Sequence, residues 1–348
     1  MSAQLSPHEL TPELVQHRRM LRLALGTTLS FVTAEVLDWE LSFLITVFLV
    51  QLLVAPGPAL GLWQGVVVVL ALSLATVAAA TVSTLLVDMP ALLAIVLGVV
   101  LFLAFVLQQS GRSPALGTLI LVAFGLLPVL AVQEPDLVPA VAFYLIRSAA
   151  VAVLWVWLLH ALLPDPEPAA SPIRPAGDAS ADVTRAALVD TAVLLPVLLA
   201  AMTLEVSAAL VIVLTVTAIL TQHKAGGRGV ALGLLLANLL GGITALVAYQ
   251  LLSAVPTLGF LTALLLLVSL LYARAIAGHA TLAPVFTTAL VTFVIVFGMA
   301  VAPFLDEPGA TLALRVRNLA IGCLYAFVAL SLLGRTDRQR VTGEAGSA

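Results

Sequence analysis

The sequence predicts an all-α polytopic membrane protein: about twelve transmembrane helices, set out as two parallel six-helix repeats with both termini in the cytoplasm. Three observations carry this expectation. Apolar residues make up 62% of the 348 and charged residues 9%, and the mean hydropathy is +1.17. A soluble globular chain carries about 25% charged residues, so this one cannot cover a water-facing surface. The apolar residues also fall in long continuous runs, and about 20 such residues make a spanning helix. These runs lack the ten-residue alternation of a membrane β-barrel. Finally, the charges sort by loop.

In chain order, apolar spans are expected at 20–36, 41–54, 62–87, 90–107, 115–132 and 138–163, and then at 186–204, 206–221, 229–252, 255–272, 282–304 and 310–333. Spans one and two, and seven and eight, are short and tightly joined. The first nineteen residues are polar and hold two prolines, so no cleavable signal is expected. The only long polar interruption, "PDPEPAASPIRPAGDASADV", reads as a flexible linker from its proline, alanine and serine content. The chain thus divides into a cytoplasmic N-terminal segment (1–19), a first transmembrane repeat (20–163), a cytoplasmic linker (164–183), a second repeat (184–334) and a cytoplasmic tail (335–348).

One set of loops holds Glu35, Asp38, Glu40, Asp88, Glu134, Asp136, Glu205, Asp306 and Glu307, with no lysine or arginine. The other loops and the two termini hold Arg18, Arg19, Arg22, Arg112, Arg174, Arg185, Lys224, Arg228, Arg274, Arg335, Arg338 and Arg340, twelve of the fifteen basic residues. Loop excess of lysine and arginine marks the cytoplasmic side, which puts both termini inside and requires an even number of spans.

The two halves resemble one another. "GLWQG" at 61–65 opens span three and "GVALG" at 229–233 opens span nine, and Thr76 and Thr244 keep the same offset. "EV" at 35–36 recurs at 205–206, and Arg147 recurs as Arg317. With six spans per half, equivalent helices point the same way. Parallel repeats about an axis along the membrane normal are a known transporter plan, with the substrate site between them. Gly61, Gly65, Gly229 and Gly233 form the two GxxxG pairs, whose expected role is close helix packing.

Three basic residues fall inside spans. Arg147 stands about nine residues into span six, and Arg315 and Arg317 slightly shallower, about six to eight residues into span twelve. An arginine there costs about 2.5–3.5 kcal/mol by insertion scales, so something must offset it. One reading is snorkelling towards the acidic loops, for instance Arg315 towards Asp306 or Glu307. The other is a cation between the repeats that binds an anionic substrate, with Trp155 and Tyr325, each eight residues later on the same helix face, lining the path. Asp190, Glu35 and Glu205 are the carboxylates in or at the spans; one held in low dielectric has a raised pKa and can carry a proton. The alternatives are a charge that ends a helix (Glu35, Glu205) and, for Asp190, pairing with Arg22 or Arg185. Gln64 and Asn238, within spans three and nine, serve either a ligand or interhelical hydrogen bonding. No P-loop, HExxH, CxxC or GxSxG occurs, and Cys323 is the lone cysteine. No enzyme activity, metal, cofactor or nucleic-acid partner is therefore expected.

At a "Trp…Thr" hairpin (Trp39 to Thr46), a basic residue before a GxxxG (Arg228, Gly229, Gly233) and an arginine followed five residues on by glycine (Arg317, Gly322), the chain resembles the fusaric acid resistance, or aromatic acid exporter, superfamily of bacterial inner-membrane proteins. The first half departs from this pattern at Leu60 and Ala152. A twenty-residue linker and a short tail also stand where larger relatives carry folded cytoplasmic domains, so the chain resembles a short branch. The resemblance implies efflux of small aromatic or hydrophobic carboxylic acids, driven by the proton gradient and assisted by a periplasmic membrane-fusion adaptor of the HlyD type. A major-facilitator-like carrier shares the twelve spans and central linker, but "APGPALGL" lacks that family's charged signature. A non-transporting scaffold for an adaptor is the reading from another class, and a homo-oligomer is open.

Overall fold

The computed structural model describes residues 12–54, 60–110, 114–164, 180–203, 228–279 and 281–301, together with residues 213, 216, 217, 220, 317, 321, 322, 324, 325, 328 and 329. Every extended element among these is helical: α1 (Pro12–Val36), α2 (Phe43–Val54), α3 (Leu62–Leu86), α4 (Pro90–Gln109), α5 (Pro114–Gln133), a 3-10 turn (Pro135–Leu137), α6 (Val138–Leu162), α7 (Ser180–Ala201), α8 (Arg228–Ala254), α9 (Leu258–Gly278) and α10 (Ala283–Val301). Their boundaries are written in the local chemistry. Pro90 opens α4, where a missing backbone N–H costs nothing. The Thr257 hydroxyl caps α9 by accepting from the Phe260 N–H at 3.3 Å, and the Gln64 side chain accepts from the Gly61 N–H at 3.1 Å at the start of α3.

Eight described helices are long and apolar enough to cross a membrane: α3 to α10, with α6 extended by the 3-10 turn before it. These imply a bilayer environment and a multi-pass chain. Two expected spans fall short of that description for physical reasons. α1 has the length but carries Arg18, Arg19 and Arg22. α2 has twelve residues, about 18 Å of helix at ~1.5 Å per residue, well under the ~30 Å hydrocarbon thickness. Spans eight and twelve lie largely outside the described residues. α7 begins at Ser180, inside the stretch read as linker, and α9 runs six residues past its expected end at 272, to Gly278.

Packing follows the burial of small and apolar faces. α8 packs along α10, α3 along α5, α1 along α9, α4 along α7, and α2 against both α6 and α10. α10 and α5 are the most enclosed, with 72% and 67% of their apolar stretches buried against 28% for α3 and α4. The first two are therefore the central helices. The outward faces of α3 and α4 remain apolar (Leu70, Leu74 and Val77; Ile95, Val99 and Leu103), as a lipid-facing surface requires.

The α8–α10 seam shows how tight the interior is. Asn238, Gly241, Ala245 and Ala248 recur on one face of α8. A Cβ placed on Gly241 would stand 2.3 Å from the Ala289 carbonyl oxygen, so only glycine permits this approach. One turn away the Thr292 hydroxyl donates to Asn238 Oδ1 at 2.6 Å, both groups buried. Of the glycines singled out in the GxxxG pairs, Gly65 does lie in a close contact, under Trp157 and Val153 of α6. Gly233 faces Val285, whereas Gly61 meets only Gln64 of its own turn and is no packing glycine. The side-chain surroundings of Gly229 lie outside the described residues.

Candidate functional site

Arg147 is held at the end of the bundle where α1 turns into α2. Its guanidinium carbon lies 4.4 Å from the centre of the Trp39 ring, 5.0 Å from Tyr144 and 5.6 Å from Phe143. Nη2 donates to the Glu40 carbonyl oxygen at 3.2 Å. Nε is buried and has no hydrogen-bond partner. The turn that delivers Trp39 and Glu40 is strained, with Asp38 at φ 50° and Leu41 at φ 54° in the left-handed region that disfavours side chains. The Ser42 hydroxyl, donating to the Glu35 carboxylate, ties that turn to the end of α1.

Each cation–π contact is worth about 0.5–2 kcal/mol, and a hydrogen bond to a charged group about 1.5–3 kcal/mol. Together they match the ~2.5–3.5 kcal/mol that an arginine costs within a span. The protein's own groups therefore offset that cost, although Nε stays unpartnered. Its position on α6 continues the exposed stripe of Phe143, Leu154 and Leu158, with Arg147 half-buried at its edge.

The other residues expected to join Arg147 sit apart from it. Trp155 packs against the core on the same helix. The Tyr325 hydroxyl donates to the Val193 carbonyl of α7 at 3.1 Å. Arg317 is helical and exposed, and Arg315 and Glu205 lie outside the described residues. Asp190 is buried between α7 and α4, where its Oδ2 accepts from Gln109 Nε2 at 2.6 Å. Its partner is an amide rather than an arginine. Arg22, also buried, donates to the Leu163 carbonyl at 3.2 Å, and Arg18 donates to the Pro164 carbonyl at 3.0 Å. These two cations thus close the C-terminus of α6, where the helix dipole favours positive charge.

Sequence reading had singled out none of the residues that form the described cleft at the middle of the bundle. α2 contributes Phe43, Leu44, Val47, Phe48 and Gln51; α5 contributes Thr118 and Val122; α10 contributes Val291 and Ile295; Thr217 completes the lining. The open space is about 30 Å³, room for one or two water molecules. No charged side chain among the described residues lines it. The Thr118 hydroxyl accepts from Gln108 Nε2 at 3.4 Å, while the Thr217 hydroxyl, 3% exposed, has no partner. A signal was present in α2: Phe43, Val47 and Gln51 stand four residues apart on one face of a helix otherwise too short to cross a bilayer.

Among the described residues no group of histidine, cysteine and carboxylate side chains is placed to hold a metal ion. No curated protein and no solved structure matches the chain. Residues 19–159, which run from α1 to the end of α6 and stop before the linker, match the model of a family described as a protein of unknown function, DUF2955.

Proposed function

We propose that the protein is a secondary transporter of the bacterial cytoplasmic membrane that moves small organic anions, aromatic or hydrophobic carboxylic acids, outward. The observation that carries this reading is the cleft, because α2 and α5 from the first half meet α10 and Thr217 from the second. In a twelve-span chain of two parallel repeats these are spans two and five and their counterparts, eight and eleven. The wider packing supports the same plan. α3 on α5 has its counterpart in α8 on α10, and α4 on α7 has its counterpart in α9 on α1. That the family match ends with the first six helices is consistent with a six-span unit. Basic residues of α1, α7 and α9 gather at one end of the bundle, the end at which both termini would enter the cytoplasm.

In this scheme Arg147 offers positive charge at the outer end, with N–H groups left over from its contact to Glu40, and Arg317 is its counterpart in the second repeat. Asp190 is the buried carboxylate available to couple movement to the proton gradient. The periplasmic HlyD-type adaptor belongs to the proposal through the family resemblance alone. The test is efflux of a panel of aromatic carboxylates from cells with and without the protein, alongside Arg147→Ala. Efflux that depends on the protein and collapses with the proton gradient is expected, with a loss of at least several-fold in the variant. No efflux of any acid in an adaptor-containing strain would overturn the proposal. The small size of the cleft favours one rival, a non-transporting scaffold, and in that case Arg147→Ala is silent.

A further inference from the structure

We infer that Arg147 and Glu40 together hold the headgroup of a phospholipid of the phosphatidylethanolamine type, the phosphate on Arg147 and the primary ammonium on Glu40. This goes beyond the transporter reading and does not rest on it; in that reading a departing anion meets the same N–H groups and exchanges with the lipid. Arg147 stands on the outward face of α6, at helical spacing from the exposed Phe143, Leu154 and Leu158. An apolar outward face of this kind meets acyl chains. Side chains on a helix lean towards its N-terminus, which in α6 is the end beside the α1–α2 turn. The guanidinium accordingly lies level with Phe143 and Tyr144, one turn before its own Cα, with Trp39 of the turn against it. Asp38 and Glu40 of that turn are exposed. Tryptophan and tyrosine rings beside water-facing acidic residues mark the boundary between membrane and water. The charge thus sits at the level of lipid headgroups, above a face that takes their chains.

The donors left on Arg147 say what it takes. A guanidinium has five N–H groups. Among the described residues one has an acceptor, the Glu40 carbonyl at 3.2 Å. Nε is sealed inside the protein, so the groups on offer are the remaining N–H of Nη1 and Nη2, on a half-exposed side chain. At the edge of the hydrocarbon an N–H without an acceptor is costly. A phosphodiester presents two oxygens that the planar fork of arginine matches. Glu40 then decides which phospholipid fits. Its carboxylate is within electrostatic reach of Arg147, so a headgroup whose only charge is the phosphate meets repulsion there. An ammonium two carbons from the phosphate converts that repulsion into an ion pair. A quaternary ammonium has no N–H to donate, and the rings that could cage one already face Arg147.

The experiment is native mass spectrometry of the full chain, released from micelles that hold equal amounts of phosphatidylethanolamine, phosphatidylcholine and phosphatidylglycerol with the same acyl chains. The wild type should retain phosphatidylethanolamine over each of the others by about fivefold or more. Arg147→Ala should abolish that preference, and Glu40→Gln should raise phosphatidylglycerol to at least the level of phosphatidylethanolamine. Soluble phosphoethanolamine, which has the headgroup without the chains, should displace none of the lipid. Equal retention of the three lipids, a wild-type preference for phosphatidylglycerol, or an unchanged pattern in Arg147→Ala would each overturn the site. Displacement by soluble phosphoethanolamine would overturn the lipid as its occupant. Should Arg147→Ala fail to fold, Glu40→Gln decides alone, since its position is exposed and an unchanged preference there refutes the pairing.

Discussion

Gly241→Ala should destabilise the protein by about 2 kcal/mol, although helix propensity alone argues the other way. Alanine is preferred over glycine inside a helix by about 0.8–1 kcal/mol. Against that, the added Cβ would sit 2.3 Å from the Ala289 carbonyl oxygen and 2.9 Å from Thr292 Cβ, where ordinary contact begins at 3.4 Å. A backbone oxygen cannot rotate away, so α8 and α10 must part by about 1 Å. A gap of ~0.5–1 Å forfeits a quarter to a half of each dispersion contact along the seam, and overpacking of this kind costs about 1–3 kcal/mol or more. The separation also stretches the bond from Thr292 to Asn238. Gly259→Ala is the matched control: that glycine has nothing within 4 Å of a built Cβ, so its replacement should be neutral or stabilising by up to about 1 kcal/mol. Unfolding in mixed micelles titrated with dodecyl sulfate, followed by helical circular dichroism, measures both. Gly241→Ala as stable as the wild type would refute the backbone contact on which the reasoning rests.

Two further outcomes follow from local geometry. Asp38 is exposed at φ 50°, so Asp38→Gly should hold or gain up to about 1 kcal/mol, while Asp38→Val should lose about 1–2 kcal/mol in the same titration. A double-mutant cycle of Asn238→Leu and Thr292→Val should give a coupling of about 0.6 kcal/mol, and no more than ~1.7, the range for interhelical hydrogen bonds in membranes; zero coupling would mean the bond does not form in the bilayer.

The membrane-spanning character was legible from the sequence because long apolar runs bounded by proline or acidic residues leave little choice. The expected span at 62–87 is the helix Leu62–Leu86, and 115–132 is Pro114–Gln133. Boundaries went astray where polar residues continue a helix beyond its apolar stretch. Arg274 lies within the last turn and a half of α9, and Ser180 starts α7 before any apolar residue of the span. The surroundings of Arg147 were half legible. Phe143 and Tyr144 stand one turn before it and belong to its helix face by spacing alone. Trp39, the nearest ring, lies 108 positions earlier in the chain, and no local pattern announces that pairing. The cleft was invisible for the same reason: no single element makes it, and its polar members are hydroxyls and one amide that occur elsewhere in the chain as ordinary packing groups.

The same contacts decide which parts of the bundle can move against one another. Where α8 meets α10, a backbone oxygen fills the place of a missing side chain, and a buried hydrogen bond fixes the register. Such a seam cannot slide or part without losing both, so the two helices behave as one body. Gly117 of α5 lies similarly close to the α4 backbone, under the Ala104 carbonyl and the Gln108 N–H. Around the cleft the contacts are of another kind. α2 presents Phe43, Val47 and Phe48 to Val122, Val291 and Ile295, side chain against side chain, with open space left between them and no described hydrogen bond crossing it. Rotamer changes there exchange one set of dispersion contacts for another at small cost. A Cβ on Gly298 of α10 would stand 2.3 Å from Phe43 Cβ of α2, so that seam also holds its spacing, and widening of the cleft is cheapest where α2 faces α5.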